Sequence, residues 1–276
     1  MRKSSLISLC ATLIIVVFSA LSWIPTKQVK GFNTSSTTKI NNLPVETDEK
    51  TSSLTAIEVY YNNLNDIYTE ADLKKSGLNF DVFKKAVTGY YNLKQSNTLT
   101  PKKDIVSIVD FNMSSREKRF WVIDLSNKKL LFNSLVAHGR GSGDDMARQF
   151  SNTANSHQSS LGFYVTGATY HGKHGLSLKL NGIDKGHNTN ALSRAVVVHG
   201  AEYVSQEFVN RHGRLGRSHG CPALPVELTR SVIDTIKDQT CLFINGPETT
   251  YSSSYLNEEI AASYFSANSV SALSSL

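Results

Sequence analysis

The chain has 276 residues, 40% of them hydrophobic and 19% charged, which provides for a buried core and excludes wholesale disorder. Its 29 Lys and Arg against 23 Asp and Glu leave a net charge of +6. That surplus is scattered, with no Lys/Arg-rich run and no zinc-finger spacing, and argues against nucleic acid as a partner.

Met1-Arg2-Lys3 is a short basic start, followed by an uncharged stretch from Ser4 to Ile24 whose apolar centre runs from Leu6 to Leu21. A basic start, an apolar centre and small residues after it describe a secretory signal. Ala20-Leu21-Ser22 places the expected cut after Ser22. The uncharged run is almost long enough to span a bilayer, so an uncleaved anchor is the alternative, and a membrane contact is expected only in that case. Either way the remainder is expected to be exported, to the periplasm or cell envelope. Residues 23–53, with the Ser/Thr-rich run Thr34 to Thr38, read as a disordered linker.

Over residues 54–98 the pattern is helical. Leu54, Ile57, Tyr61 and Leu64 form one apolar stripe, and Phe80, Phe83, Val87 and Tyr90 or Tyr91 a second, with Asn79 or Asp81 as its cap. At Asp104 the period shifts towards two. Ile105 to Phe111, Arg119 to Leu125, Leu130 to Ala137, Gly162 to Thr169, Leu176 to Leu180 and Arg194 to Val198 read as strands. Asn127 provides a hairpin turn, Pro225 to Ile236 has helical spacing, and Cys241 to Ile244 returns to a strand. Residues 104–246 are therefore a mainly β domain of roughly 140 residues with one packed helix, preceded by a small helical extension. Residues 247–276 read as a loose, Ser-rich tail.

The chemistry concentrates in the segment VVVHGAEYVSQEFVNRHGRLGRSHGCPALP. An apolar strand ends at His199-Gly200, and the chain returns through a loop to Ser218-His219-Gly220-Cys221. A thiolate is a strong nucleophile, but an ordinary Cys is mostly protonated at neutral pH and needs an imidazole or a cationic site. A His at a strand end is a rigidly held base. Gly220 leaves room beside the sulfur, and the N–H groups of Gly220 and Cys221 are candidate oxyanion donors. Pro222 restricts the turn. The competing readings are an inert buried thiol and a Cys221–Cys241 disulfide, the one pair left once Cys10 departs with the signal. Cys241 sits in the apolar TCLFIN, whereas Cys221 sits among Gly, His, Ser and Pro, which favours a reactive Cys221.

The HG…RSHGCPALP segment resembles the YkuD-like cysteine transpeptidases. WVIDLSNKKLLFNSLVAHGRGSG and SSLGFYVTGATYHGKHGLSLKL are similar to the murein L,D-transpeptidase catalytic-domain family within them. The resemblance implies an L,D-transpeptidase-like β-sandwich or barrel. It makes Cys221 the acylated nucleophile, His199 the base and the Gly200 carbonyl the third member that orients the imidazole. Ser218, His219 and Gly220 take the remaining motif positions. Many relatives carry Arg or Asn where this chain has Ala223; Arg217 or Arg214 is the expected replacement for binding a stem-peptide carboxylate. The implied partners are peptidoglycan stem peptides. The implied reaction is a metal-free, cofactor-free acyl transfer through a thioester, resolved by an amine or by water.

His171 and His174 form an i, i+3 pair in a Gly-rich turn with no carboxylate nearby, so no metal is expected there. His138, at a strand end, is the other His expected to face the site. No G-x-S-x-G elbow supports a serine hydrolase, and the order of His before Cys opposes a papain-like enzyme. Tyr60-Tyr61 and Tyr90-Tyr91 read as helix packing rather than sugar platforms. Two alternatives remain: a non-catalytic envelope-binding protein on the same fold, and a sortase-like transpeptidase.

Overall fold

The computed structural model describes residues 54–273; the expected signal or anchor and the linker fall outside the described residues. Helices α1 (Ala56–Glu70) and α2 (Phe80–Gln95) come first. The Thr55 hydroxyl accepts from the Glu58 N–H while the Glu58 carboxylate accepts from the Thr55 N–H at 2.7 Å, so two otherwise free donors at the start of α1 are satisfied. Asn79 caps α2 by accepting from the Asp81 N–H at 2.8 Å.

Eight strands follow: β1 (Ile105–Asp110), β2 (Phe120–Asp124), β3 (Lys129–Ser134), β4 (Gly162–Gly172), β5 (Gly175–Gly182), β6 (Val197–Gly200), β7 (Ala223–Leu224) and β8 (Cys241–Asn245). Helix α3 (Gln206–His212) joins β6 to β7, α4 (Val226–Ile236) joins β7 to β8, and α5 (Glu258–Leu273) closes the described chain. The strands form one sheet in the order β3-β2-β1-β8-β4-β5-β6-β7. Beyond β3, Ala137 bridges Ala223 of β7, so the last strand in the sheet meets the chain leaving the first. The fold is mostly β, a nearly closed, barrel-like sheet.

Period-two alternation divides the apolar residues between the two faces. Val106, Ile108, Trp121, Ile123, Phe163, Cys241 and Phe243 pack with α1 and α2. Their neighbours Ile105, Val109, Phe120, Val122, Tyr164, Leu242 and Ile244 join Leu178, Leu180 and Val198 in a second cluster, filled by Val232, Ile233 and Ile236 of α4. Both faces are dry, which is why these strands read as nearly continuous apolar runs. The tyrosine pairs pack between helices: Tyr60 meets Tyr91 edge-on at 6.0 Å, and Tyr91 meets Phe265 of α5 at 5.2 Å.

Residues 247–276 were expected to be a loose tail; the structure instead orders a 3₁₀ turn at Ser254–Leu256 and the 16-residue α5. Its buried positions are Ala261 and Ala262, small residues that let α5 approach α1 and α2 closely but give little hydrophobic contrast in sequence. The Asn92 amide donates to the carbonyls of Tyr255 and Asn257 at 2.7 and 2.8 Å, and Lys84 pairs with Glu258 at 2.9 Å. Helix α3 buries only Val209, and β7 has only two residues, so neither leaves a periodic signal. The expected strand from Arg194 starts only at Val197, because Ala195 takes a left-handed φ of +54° that ends a turn there. Among the described residues no helix is long and apolar enough to cross a membrane.

Candidate active site

Parallel pairing of β6 with β7 builds the site. His199 lies opposite Ala223, which sets Cys221, two residues before Ala223, abreast of Val197, two residues before His199. The Val197 N–H accordingly points at the Cys221 sulfur, 3.5 Å away, while the thiol lies 3.7 Å from the Ala195 carbonyl oxygen. Both Cys221 and Cys241 are free thiols. The expected pairing alternative does not occur: Cys241 is fully buried on the helix-covered face of β8, whereas Cys221 is half-buried beside β6. Burial pushes the Cys221 thiol up; the Val197 N–H and the Arg194 cation act against that rise.

His199 is held on both sides. Its Nδ1 lies 2.9 Å from the Gly200 carbonyl oxygen; a carbonyl only accepts, so Nδ1 carries the proton and Nε2 keeps a lone pair. The ring of His174, from the β4–β5 turn, stacks on it at 4.4 Å. Burial holds His199 below the ordinary histidine range despite the Gly200 bond, and His174 and Lys173 add to the effect. Gly200 must be glycine for packing reasons: a Cβ there would come 2.6 Å from Thr229 Oγ1 of α4.

Ser218 closes the motif loop. Its hydroxyl donates to the Cys221 carbonyl at 2.7 Å and accepts from the Gly220 N–H at 3.0 Å. The Gly220 N–H is therefore occupied, which corrects the expectation that it serves an oxyanion; among the described residues the Cys221 N–H has no partner and remains the loop's candidate donor. Gly220 itself takes φ +123° against the Gln158 carbonyl, 2.8 Å from where a Cβ would sit. Behind the loop, Ser218 N–H donates to the His138 carbonyl and Arg140 N–H to the Ser218 carbonyl, at 2.9 and 2.8 Å. His219 is exposed and stacks on His157 at 4.3 Å.

Cys221, His199, Ser218 and His219 open together on a cavity of about 470 Å3, with Tyr170, Lys173, His174, Tyr203 and Arg217 on its walls. Arg217 donates to Asp144 at 2.6 Å and to the Gly143 carbonyl at 3.0 Å. Arg214 is turned aside, its Nη1 on the Leu215 carbonyl at 2.8 Å, and does not line the cavity. His138, expected to face the site, does not either. It is fully buried, accepts from Arg119 through Nδ1 at 2.8 Å and donates from Nε2 to the Gly143 carbonyl at 3.3 Å. Burial and the Arg119 cation bring it down to about 4. Its work is to hold the 138–143 segment against the motif loop. No three His, Cys, Asp or Glu side chains among the described residues cluster as a metal would require.

Sequence reasoning missed Arg194, Val197 and Lys173 around the sulfur and imidazole. Val197 acts through its backbone N–H, which carries no residue signature. Arg194 sat within an expected strand.

Residues 74–245 match the family described as the L,D-transpeptidase catalytic domain. Solved structures are similar at low identity. An L,D-transpeptidase from Mycobacterium smegmatis is 12% identical with a TM-score of 0.33, over 52% of this chain and 59% of that one. The helical cell shape determining protein from Campylobacter jejuni is 12% identical with a TM-score of 0.36, over 67% and 63%. An L,D-transpeptidase from Stackebrandtia nassauensis is 15% identical with a TM-score of 0.33, over 59% and 67%. The chain thus spans about six-tenths of the length of the first two. No curated protein matches it. With the match running from the turn between α1 and α2 through β8 and so across both His199 and Cys221, the chain belongs to the L,D-transpeptidase catalytic-domain family.

Proposed function

We propose that the protein is an exported cysteine acyltransferase of peptidoglycan stem peptides, an L,D-transpeptidase with Cys221 as nucleophile. The carrying observation is that Cys221 and His199 open on one cavity while the Nδ1 proton of His199 is committed to Gly200. That leaves Nε2 as the base. With the thiol held up and the imidazole held down, the resting pair is neutral.

The Cys221 proton passes to Nε2 as sulfur adds to the carbonyl of the stem's third residue. The oxyanion forms near the free Cys221 N–H. The C–N bond to the terminal D-Ala then breaks, its amine taking the proton from His199, and a thioester remains. A side-chain amine of a second stem, or water, repeats the sequence in reverse; these acceptors correspond to crosslinking and to L,D-carboxypeptidase action. Arg217 is the cavity cation suited to a substrate carboxylate. Its partner Asp144 is largely exposed, with 82% of its side chain accessible, so the pair is weak and exchangeable.

The test incubates the full chain and Cys221→Ala with disaccharide tetrapeptides and analyses the products by mass spectrometry. Crosslinked dimers or tripeptides that vanish in the variant support acyl transfer, and their ratio ranks amine against water. No product, together with no attachment of a labelled carbapenem to Cys221, would overturn the reading in favour of a non-catalytic envelope-binding protein. Turnover of a protein sorting peptide instead would favour the sortase-like alternative.

A further inference from the structure

Arg194 is a half-buried cation whose hydrogen bonds all go to neutral groups. Nη1 donates to the Ser151 carbonyl at 2.6 Å and to Ser160 Oγ at 2.5 Å; Nη2 donates to the Gln158 carbonyl at 2.7 Å and to Ser156 Oγ at 3.2 Å. No carboxylate among the described residues neutralises it; the groups that bear on its charge are Tyr164 and Cys221. Tyr164 is fully buried, donates its hydroxyl proton to the Ser160 carbonyl and is held neutral by burial. Four fixed hydrogen bonds hold a guanidinium rigidly but leave its charge uncompensated, an arrangement that is costly in a partly dry site. Among the described residues that bear on Arg194, Cys221 is the group able to supply the anion.

The geometry fits that role. A Cβ on Gly220 would lie 3.4 Å from Arg194 Nη2, so the guanidinium rests against the residue that precedes the thiol. The backbone between Arg194 and His199 itself contacts the sulfur, through the Ala195 carbonyl and the Val197 N–H. We propose that Arg194 is a positioning residue that holds the counter-charge of the Cys221 thiolate, fixed in place by the 151–160 segment. Its charge is unpaired while the thiol is neutral and becomes paired as the proton moves from sulfur to His199 Nε2, so it favours the ionised form specifically.

Other charged or titratable groups line the cavity onto which the sulfur opens. His199 stands on β6, and Tyr170, Lys173 and His174 come from β4 and its turn into β5. Tyr203 follows β6, and Arg217 and His219 precede β7. Of these, Arg217 already has Asp144, Lys173 is exposed to solvent, where screening weakens its effect, and His219 is held below the ordinary histidine range by partial desolvation and by the Arg140 cation. Arg194 is the cation whose charge works against the rise that burial imposes on the Cys221 thiol.

The inference rests on Cys221 being the nucleophile, but its test reads thiol ionisation rather than turnover, so the two fail separately. Iodoacetamide alkylation of Cys221 in the full chain is followed from pH 6 to about 11 by mass spectrometry of the Cys221 peptide, with circular dichroism as the folding control. Arg194→Gln is expected to raise the pH midpoint by about one unit and to slow alkylation at neutral pH about tenfold, with the high-pH plateau unchanged. Arg194→Lys keeps the charge and is expected to stay within about threefold of wild type. Ser160→Ala removes one anchoring bond and leaves the charge, and is expected to stay within about twofold. A folded Arg194→Gln with the wild-type midpoint overturns the proposal, and so does a Ser160→Ala midpoint shifted as far as that of Arg194→Gln. If Arg194→Gln does not fold, Arg194→Lys decides: a midpoint raised by about one unit overturns the proposal, and a retained midpoint supports it.

Discussion

The Nδ1 of His199 sits 2.9 Å from the carbonyl oxygen of its own neighbour, Gly200. That bond fixes the tautomer without a carboxylate, so the imidazole gains orientation but no strong anionic support, and burial still keeps it below the ordinary histidine range. In the role proposed for it, a neutral imidazole is available at neutral pH and on the acid side.

The pH dependence follows in sign. On the proposed mechanism, protonating His199 removes the base, and its proton affinity is reduced by burial first and by His174 and Lys173 next. The acid limb of kcat/KM is therefore expected to have its midpoint below the ordinary histidine value of about 6.5. Lys173→Ala should move that limb upward by a few tenths of a unit, because one cation near the ring is lost. A limb at or above 6.5 in the wild type contradicts the assignment of His199.

Ser218 makes two bonds that close the loop onto Cys221. Ser218→Ala is expected to lower kcat at least tenfold while costing about 1–3 kcal/mol of stability, since the buried Gly220 N–H loses its acceptor. Ser218→Thr keeps the hydroxyl and should recover most of the activity. Steady-state kinetics with denaturant unfolding separates the two effects.

These loop bonds also mark where the sequence stops being legible. The short apolar runs of β1, β2, β4 and β8 are readable because both faces of the sheet are dry, and the helical stripes through Phe83 and Val87 are readable because one face is. The Cys221 and His199 pair stood out by residue type and by the family motif. His138 was misjudged because a strand-end His is equally suited to a buried bond with Arg119, and only the fold decides between them. Arg194 was hidden because its importance comes from having no acidic partner, a property of the packed structure. Helix α5 is hard to read because the residues it buries fully are Ala261 and Ala262, with Phe265 only half-buried beside them.

That contact face gives a direct check. Ala262 is buried between helices whereas Ala267 is exposed. Ala262→Asp should lower Tm substantially, because an unpaired carboxylate is forced into an apolar contact, and Ala267→Asp should leave it nearly unchanged. Equal, small effects would mean that α5 does not pack as described.

His138 makes a stability prediction with a definite sign. It stays neutral in the fold until about pH 4, whereas the unfolded chain protonates it near 6.5. The unfolded state thus binds more protons between those values, and stability falls as pH drops through the window, by on the order of 3 kcal/mol from this group. His138→Asn, which retains an acceptor for Arg119, should flatten the slope of unfolding free energy against pH by about one proton over that range. An unchanged slope contradicts a neutral buried His138.

Arg217 and Arg214 divide by position, since Arg217 lines the cavity and Arg214 does not. Arg217→Gln is expected to raise KM for a tetrapeptide donor several-fold with kcat little altered, the pattern of lost uniform binding. Arg214→Gln should change neither by more than about twofold. The reverse order would place the substrate carboxylate elsewhere.

The central claim is that Cys221 carries an acyl group. Intact-mass analysis of the full chain mixed with a disaccharide tetrapeptide and quenched in acid tests it most directly. The account predicts a mass increase equal to the donor less D-Ala, located on the Cys221 peptide, reversed by hydroxylamine and absent in Cys221→Ala. A donor converted to product with no adduct on wild-type Cys221, or with the same rate in Cys221→Ala, would contradict it.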